Sequence, residues 1–100
     1  LLTIDDIEES CARRRMTLVL HPAIRRAIRG YEESLQIGLR AFLEDEAEAR
    51  FYLPVEGGGY AQLAFSTRRS PSGHLILRID PRDPAELKRI KLSLPAARPV

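Results

Sequence analysis

One apolar stripe constrains this chain more than any other feature. Ile24, Ile28, Tyr31, Leu35, Leu39, Phe42 and Leu43 share an arc of about 120° when successive residues are turned by about 100°, which is one face of an α-helix. Arg26, Arg29, Glu33, Gln36 and Arg40 fall outside that arc, Arg25 and Glu32 fall at its polar edge, and Ile37 is the large apolar residue out of place. The pairs Arg29/Glu33 and Arg40/Glu44 would add about 0.2–0.5 kcal/mol each. The stripe predicts a long helix from about residue 22 to 47. A strand pattern competes for 35–47, because Leu35, Ile37, Leu39, Ala41 and Leu43 also alternate. Gly30 and Gly38 would each weaken a helix by about 1 kcal/mol relative to Ala. The following EDEAEA has helix formers and no turn residue, so the helix is the reading adopted.

The flanks carry clear end signals. Thr3 suits an N-cap for a first helix over 3–15. Leu2 and Ile7 stand where a hydrophobic staple would join. Asp5, Asp6, Glu8 and Glu9 lie near the positive end of its dipole, and Arg13, Arg14 and Arg15 near the negative end. Ile4, Ile7 and Cys11 form its apolar stripe. MTLVL (16–20) reads as a short buried strand. His21-Pro22 closes it and opens the next helix, where the missing Pro N–H costs nothing.

Beyond residue 50 the period becomes two. Phe51, Leu53 and Val55 alternate with Arg50, Tyr52 and Pro54. Ala61, Leu63 and Phe65 alternate with Tyr60, Gln62, Ala64 and Ser66. Gly57-Gly58-Gly59 makes a free-angled turn between them. RRSPSG (68–73) is a hairpin tip, and HLILRID (74–80) is a third strand of an antiparallel meander. Asp83 and Pro84 open a last short helix over 85–90, and 92–100 reads as a partly frayed tail.

The expected order is α-β-α-β-β-β-α. It is an α+β two-layer sandwich with the long amphipathic helix packed on an antiparallel sheet, in one domain over residues 1–100. MTLVLHPAIRRAIRGYEESLQIGLRAFLEDE (16–46) loosely resembles the strand and two helices of ribbon-helix-helix DNA-binding proteins. That family has a turn between its helices, whereas the stripe here runs on without a break, so the resemblance is not adopted.

Composition narrows the function. The 100 residues carry 16 Lys+Arg against 14 Asp+Glu, a formal charge of +2, with 44% hydrophobic and 30% charged residues. This is the profile of an ordinary globular domain. No run of apolar residues is long enough to cross a bilayer as a helix. The acidic opening LLTIDDIEES does not read as a signal peptide, so a reducing cytoplasm is the expected compartment. The first residue is Leu, so the chain is expected to be trimmed or cut from something longer. Cys11 is the sole cysteine, which excludes an internal disulfide and a cysteine metal cluster. Among the basic residues 14 are Arg and 2 are Lys, a bias that coding preference explains before function does.

Catalytic constellations are not evident. His21 suits a helix cap and His74 begins a strand. GGG at 57–59 joins strands and lacks the helix N-terminus that cradles phosphate. Glu44, Asp45, Glu46 and Glu48 would point to different sides of a helix instead of enclosing a cation. Asp80 with Glu86-Leu87-Lys88 does not set two carboxylates on neighbouring strands. Cys11 reads as a buried small hydrophobe. No enzyme activity, cofactor or metal is expected.

Two binding classes remain. Tyr52 and Tyr60, with Arg50, would project from the sheet face opposite Phe51, Leu53, Leu63 and Phe65. Tyr and Arg are enriched in interface centres. The leading expectation is therefore a protein–protein association module, a homo-oligomer or part of a larger complex, with no membrane partner. The alternative is nucleic-acid binding by Arg13, Arg14, Arg15, Arg68 and Arg69, because Arg makes bidentate phosphate contacts. Tyr31, Tyr52 and Tyr60 are too scattered in the sequence to suggest a base-stacking platform.

Overall fold

The computed structural model describes residues 1–45 and 49–92. Its elements are α1 (Ile4–Arg13), β1 (Met16–Leu20), α2 (Pro22–Ala27), α3 (Glu32–Leu43), β2 (Phe51–Pro54), β3 (Tyr60–Arg69), β4 (Leu75–Pro81) and α4 (Glu86–Leu92). The four strands form one mixed sheet in the order β1-β4-β3-β2, and the class is mixed α and β.

Local chemistry sets the helix starts. Thr3 accepts a hydrogen bond from the Asp6 N–H at 3.1 Å and Asp6 Oδ2 accepts from the Thr3 N–H at 2.9 Å, a reciprocal capping box. His21 caps α2, its Nδ1 accepting from the Ala23 N–H at 3.0 Å, with Pro22 in the first turn. Asp83 Oδ1 accepts from the Ala85 N–H at 3.0 Å just before α4. Arg25 of α2 reaches Glu8 at 2.6 Å and Asp5 at 2.9 Å, tying α2 to α1.

The single long helix expected over 22–47 is two helices. α2 ends at Ala27 and α3 begins at Glu32; residues 46–48, which include the end of the expected helix, lie outside the described residues. The cause is Gly30, whose φ of +94° leaves the right-handed helical region at little cost to a residue without Cβ. The Gly30 N–H is taken by Glu32 Oε1 at 2.7 Å, and the Tyr31 N–H by the Ile28 carbonyl at 2.7 Å. The apolar stripe survives the break, since Ile24, Ile28, Leu35 and Leu39 are all buried. Residues 35–43 are helical, which settles that part of the helix-or-strand alternative. A turn does separate α2 from α3, while β1 is an edge strand of a four-stranded sheet formed within this chain.

A Gly30→Ala substitution separates these two readings. In an unbroken helix it would stabilise by about 1 kcal/mol. With φ at +94° it is expected to cost about 1–2 kcal/mol, read as a lowered urea midpoint.

The meander of β2, β3 and β4 is antiparallel as expected. β1 is the correction to the antiparallel sheet: it pairs in parallel with β4, Met16 opposite Leu75 through Leu20 opposite Ile79. β1 lies at one edge and β2 at the other, so α2 and α3 must carry the chain across the sheet. Three interstrand spacings span about 14 Å, which the 12 residues of α3 cover at about 18 Å. The chain then returns strand by strand until β4 meets β1. The expected order α-β-α-β-β-β-α therefore gains one helix, and the crossover replaces packing by a single long one.

Only one sheet face is buried. Met16 and Leu18, Phe51, Leu53 and Val55, Ala61 and Leu63, and Leu77 and Ile79 share one cluster with Ile7, Cys11, Ile24, Ile28, Leu35, Leu39 and Ile90 from the helices. The other face carries Thr17, Val19, Tyr52, Tyr60, Gln62, Ala64, Ser66, Arg68, Ile76, Arg78 and Asp80, none of them buried. Gly38 marks a close approach of α3 to the lead into β2 and to β3. A Cβ there would lie 3.2 Å from the Arg50 carbonyl oxygen and 3.3 Å from Phe65 Cζ. Phe65 stacks on Phe42 with ring centroids 5.5 Å apart, closing the core where β2 runs out alongside the longer β3. The expected tail over 92–100 falls outside the described residues beyond Leu92.

Candidate functional site

The register of β2 and β3 brings two tyrosines together. Tyr52 stands opposite Gln62 and Pro54 opposite Tyr60, so Tyr52 and Tyr60 are diagonal neighbours on the open face, about 7–8 Å apart by sheet geometry. They are 49% and 66% exposed. Their separation in sequence hid this proximity; Tyr31 lies apart, before α3. Arg50 precedes β2 and is exposed.

Two adjoining hollows connect Arg50 to Tyr60. One, of ≈ 430 Å³, is lined by Arg50, Gln62, Ala64, Arg82 and the Phe42–Phe65 pair among others. The second, of ≈ 460 Å³, is lined by Tyr60, Gln62, Arg82, Asp83, Pro84 and Glu86. Gln62 and Arg82 belong to both, and the Arg82 N–H donates to the Gln62 carbonyl at 2.8 Å. The sequence reading missed Arg82 and Gln62 as parts of this surface. Alternation along β4 was the signal for its continuation, since it assigns Ile76, Arg78 and Asp80 to the tyrosine face. Arg78 Nε donates to Asp80 Oδ2 at 3.2 Å, so the face carries both signs of charge.

The arginines nominated from sequence meet at the other end of β3. Arg14, Arg15 and Arg69 line one hollow of ≈ 400 Å³ with Met16, Ser72, Gly73 and Leu75. Arg15 has φ +60° in the turn that delivers α1 into β1, and its carbonyl accepts from the Leu75 N–H at 3.2 Å. Arg69 donates to the Gly73 carbonyl at 3.0 Å. Arg13 is set back on α1, 3.9 Å from Glu9, and Arg68 points to the open sheet face opposite Ile76. The structure thus gathers three of the five and places the other two at the margin.

No family model matches the chain, and comparison with curated proteins and with solved structures finds no match.

His74 Nε2 lies 2.7 Å from Thr17 Oγ1, which joins β1 to the start of β4, while His21 is spent as a cap. Cys11 is buried, and desolvation pushes its thiol pKa up against the opposing pull of Arg14; the neutral thiol is a poor nucleophile. Among the described residues no group of His, Cys, Asp and Glu is placed to hold a metal ion, and Glu46 and Glu48 lie outside them. No described helix is long and apolar enough to cross a membrane.

Proposed function

We propose that this chain is a non-catalytic association module whose open sheet face meets the same face of a second copy. The observation that carries this reading is the exposed pair Tyr52 and Tyr60, set side by side by the β2–β3 register. Tyrosine offers a large, amphipathic contact area with few torsions to freeze. The pair continues into a face with half-buried Val19 and Ile76 and with Arg50, Arg78, Arg82, Asp80 and Asp83. A two-fold interface places one patch against itself, so it must be self-complementary. A face with both charge signs meets that condition by setting arginines of one copy against aspartates of the other.

Sedimentation velocity tests this. The native chain is expected to exceed its monomer mass of 11.3 kDa at micromolar concentration. Tyr52→Ser with Tyr60→Ser is expected to weaken the association by about 30-fold or more, the effect of losing one hot spot of about 2 kcal/mol. Both side chains are exposed, so the thermal midpoint of the dilute monomer should hold. Arg40→Ala, at an exposed position of α3 behind the sheet, should leave the mass unchanged. A native chain that stays monomeric, or a tyrosine variant that associates equally well, would contradict the proposal.

A further inference from the structure

We infer that the hollow lined by Arg14, Arg15 and Arg69 is a second binding site, for the phosphodiester backbone of a nucleic acid. It is separate from the tyrosine surface. Tyr60 and Arg69 are the two ends of β3, nine residue steps apart, or about 30 Å along the strand.

Three observations lead there. First, the turn after α1 and the β3–β4 hairpin come from distant parts of the chain. They are locked side by side by the Leu75–Arg15 backbone bond and the parallel pairing of Met16 with Leu75. The backbone segments that carry the arginines are therefore joined by hydrogen bonds. Second, the residues lining the hollow include three arginines and no aspartate or glutamate. Several other arginines on this nearly neutral chain lie within ion-pair distance of an acid, as Arg25 does of Glu8 and Asp5, Arg78 of Asp80, and Arg89 of Glu86. Arg69 uses one N–H on Gly73, which orients the planar fork and leaves its other donors for an oxyanion. Third, the hairpin tip is ordered and small. The Ser70 and Ser72 hydroxyls lie 2.9 Å apart, and Ser70 Oγ accepts from the His74 N–H. The tip Ser70-Pro71-Ser72-Gly73 can approach a backbone closely and offers hydroxyl donors beside the arginines.

The chemistry favours a nucleic acid over a lipid surface. Membrane attachment of a basic patch draws on apolar side chains that insert beside it, and the tip carries none of large size. Backbone phosphates need only charge and hydrogen-bond donors, and such contacts position a strand without reading its bases.

The test is fluorescence anisotropy with labelled mixed-sequence single-stranded DNA, single-stranded RNA and duplex DNA, with phosphatidylserine-containing vesicles as a parallel arm. Three phosphate contacts give a salt slope of about −2 to −3 in log–log form, or a loss of about 16- to 64-fold between about 50 and about 200 mM salt. Arg14→Gln with Arg15→Gln should weaken binding at least about tenfold and flatten the slope by about 2. Arg40→Gln with Lys88→Gln removes the same charge from exposed helix positions and should change binding less than about threefold. Thermal melts establish that both variants are folded. No nucleic-acid binding at low salt, equal losses from both variant pairs, or binding to vesicles alone would overturn the site. Which nucleic acid binds most tightly identifies the source of the phosphates. The outcome is independent of the tyrosine interface, because neither variant pair lies on it.

Discussion

Leu77→Ala is expected to cost about 2–5 kcal/mol, the usual range for deleting a fully buried leucine and leaving part of the cavity open. Leu77 is 0% exposed and sits on β4, the strand that joins β1 on one side to β3 on the other. Its partners in register are Leu18 and Thr67, so the loss is felt by both neighbouring strands. A domain of this size holds about 5–15 kcal/mol in total. A loss near 3 kcal/mol therefore lowers the thermal midpoint by roughly 12–24 °C. The adjacent residue supplies the control. Ile76 points to the open face and is only half-buried, so Ile76→Ala should cost about 1 kcal/mol or less in the dilute chain. Equal costs at 76 and 77 would mean that the two faces are not distinguished as described.

The second large effect is at Gly38. Helix propensity alone favours filling this position. The packing opposes it, because the first added carbon already lies 3.2 Å from the Arg50 carbonyl oxygen and 3.3 Å from Phe65 Cζ. Gly38→Val adds two methyl groups where α3 meets the lead into β2. It is expected to cost about 1–3 kcal/mol through overpacking, seen as a lowered urea midpoint with unchanged slope. Phe65→Leu in the same chain should restore part of the loss, because the two positions share one contact. It should not restore all of it, since the Arg50 carbonyl is backbone and cannot be trimmed. A Gly38→Val chain as stable as the native one would contradict the close helix–sheet approach.

Elements defined by local signals were legible in the sequence. Thr3 and His21 cap α1 and α2 as expected, while Asp83 Oδ1 accepts from the Ala85 N–H in the turn that leads into α4. The period-two runs around Leu53, Leu63 and Leu77 gave the meander and its buried face. The miss at Gly30 has a physical reason. A hydrophobic stripe records which side chains face the core, and two short helices joined by one left-handed glycine can keep the same side chains inward. Tyr31, on the stripe yet exposed after the turn, was the discordant member. The parallel pairing of β1 with β4 had no local signal, because MTLVL is equally compatible with either neighbour and either direction. Tyr52 with Tyr60 could be placed on one face by alternation, but their adjacency needed the β2–β3 register. The meeting of Arg14 and Arg15 with Arg69 followed only from β1 joining β4.

Association through the uncovered sheet face is tested most directly by recording ¹H–¹⁵N spectra of the native chain over a dilution series. The expected result is concentration-dependent shifts confined to β2, the first half of β3 and residues 76–80 of β4, with α3 unaffected at Ile37, which is 72% exposed on the far side. Spectra that do not change on dilution, or shifts centred on Ile37 and the helices, would contradict it.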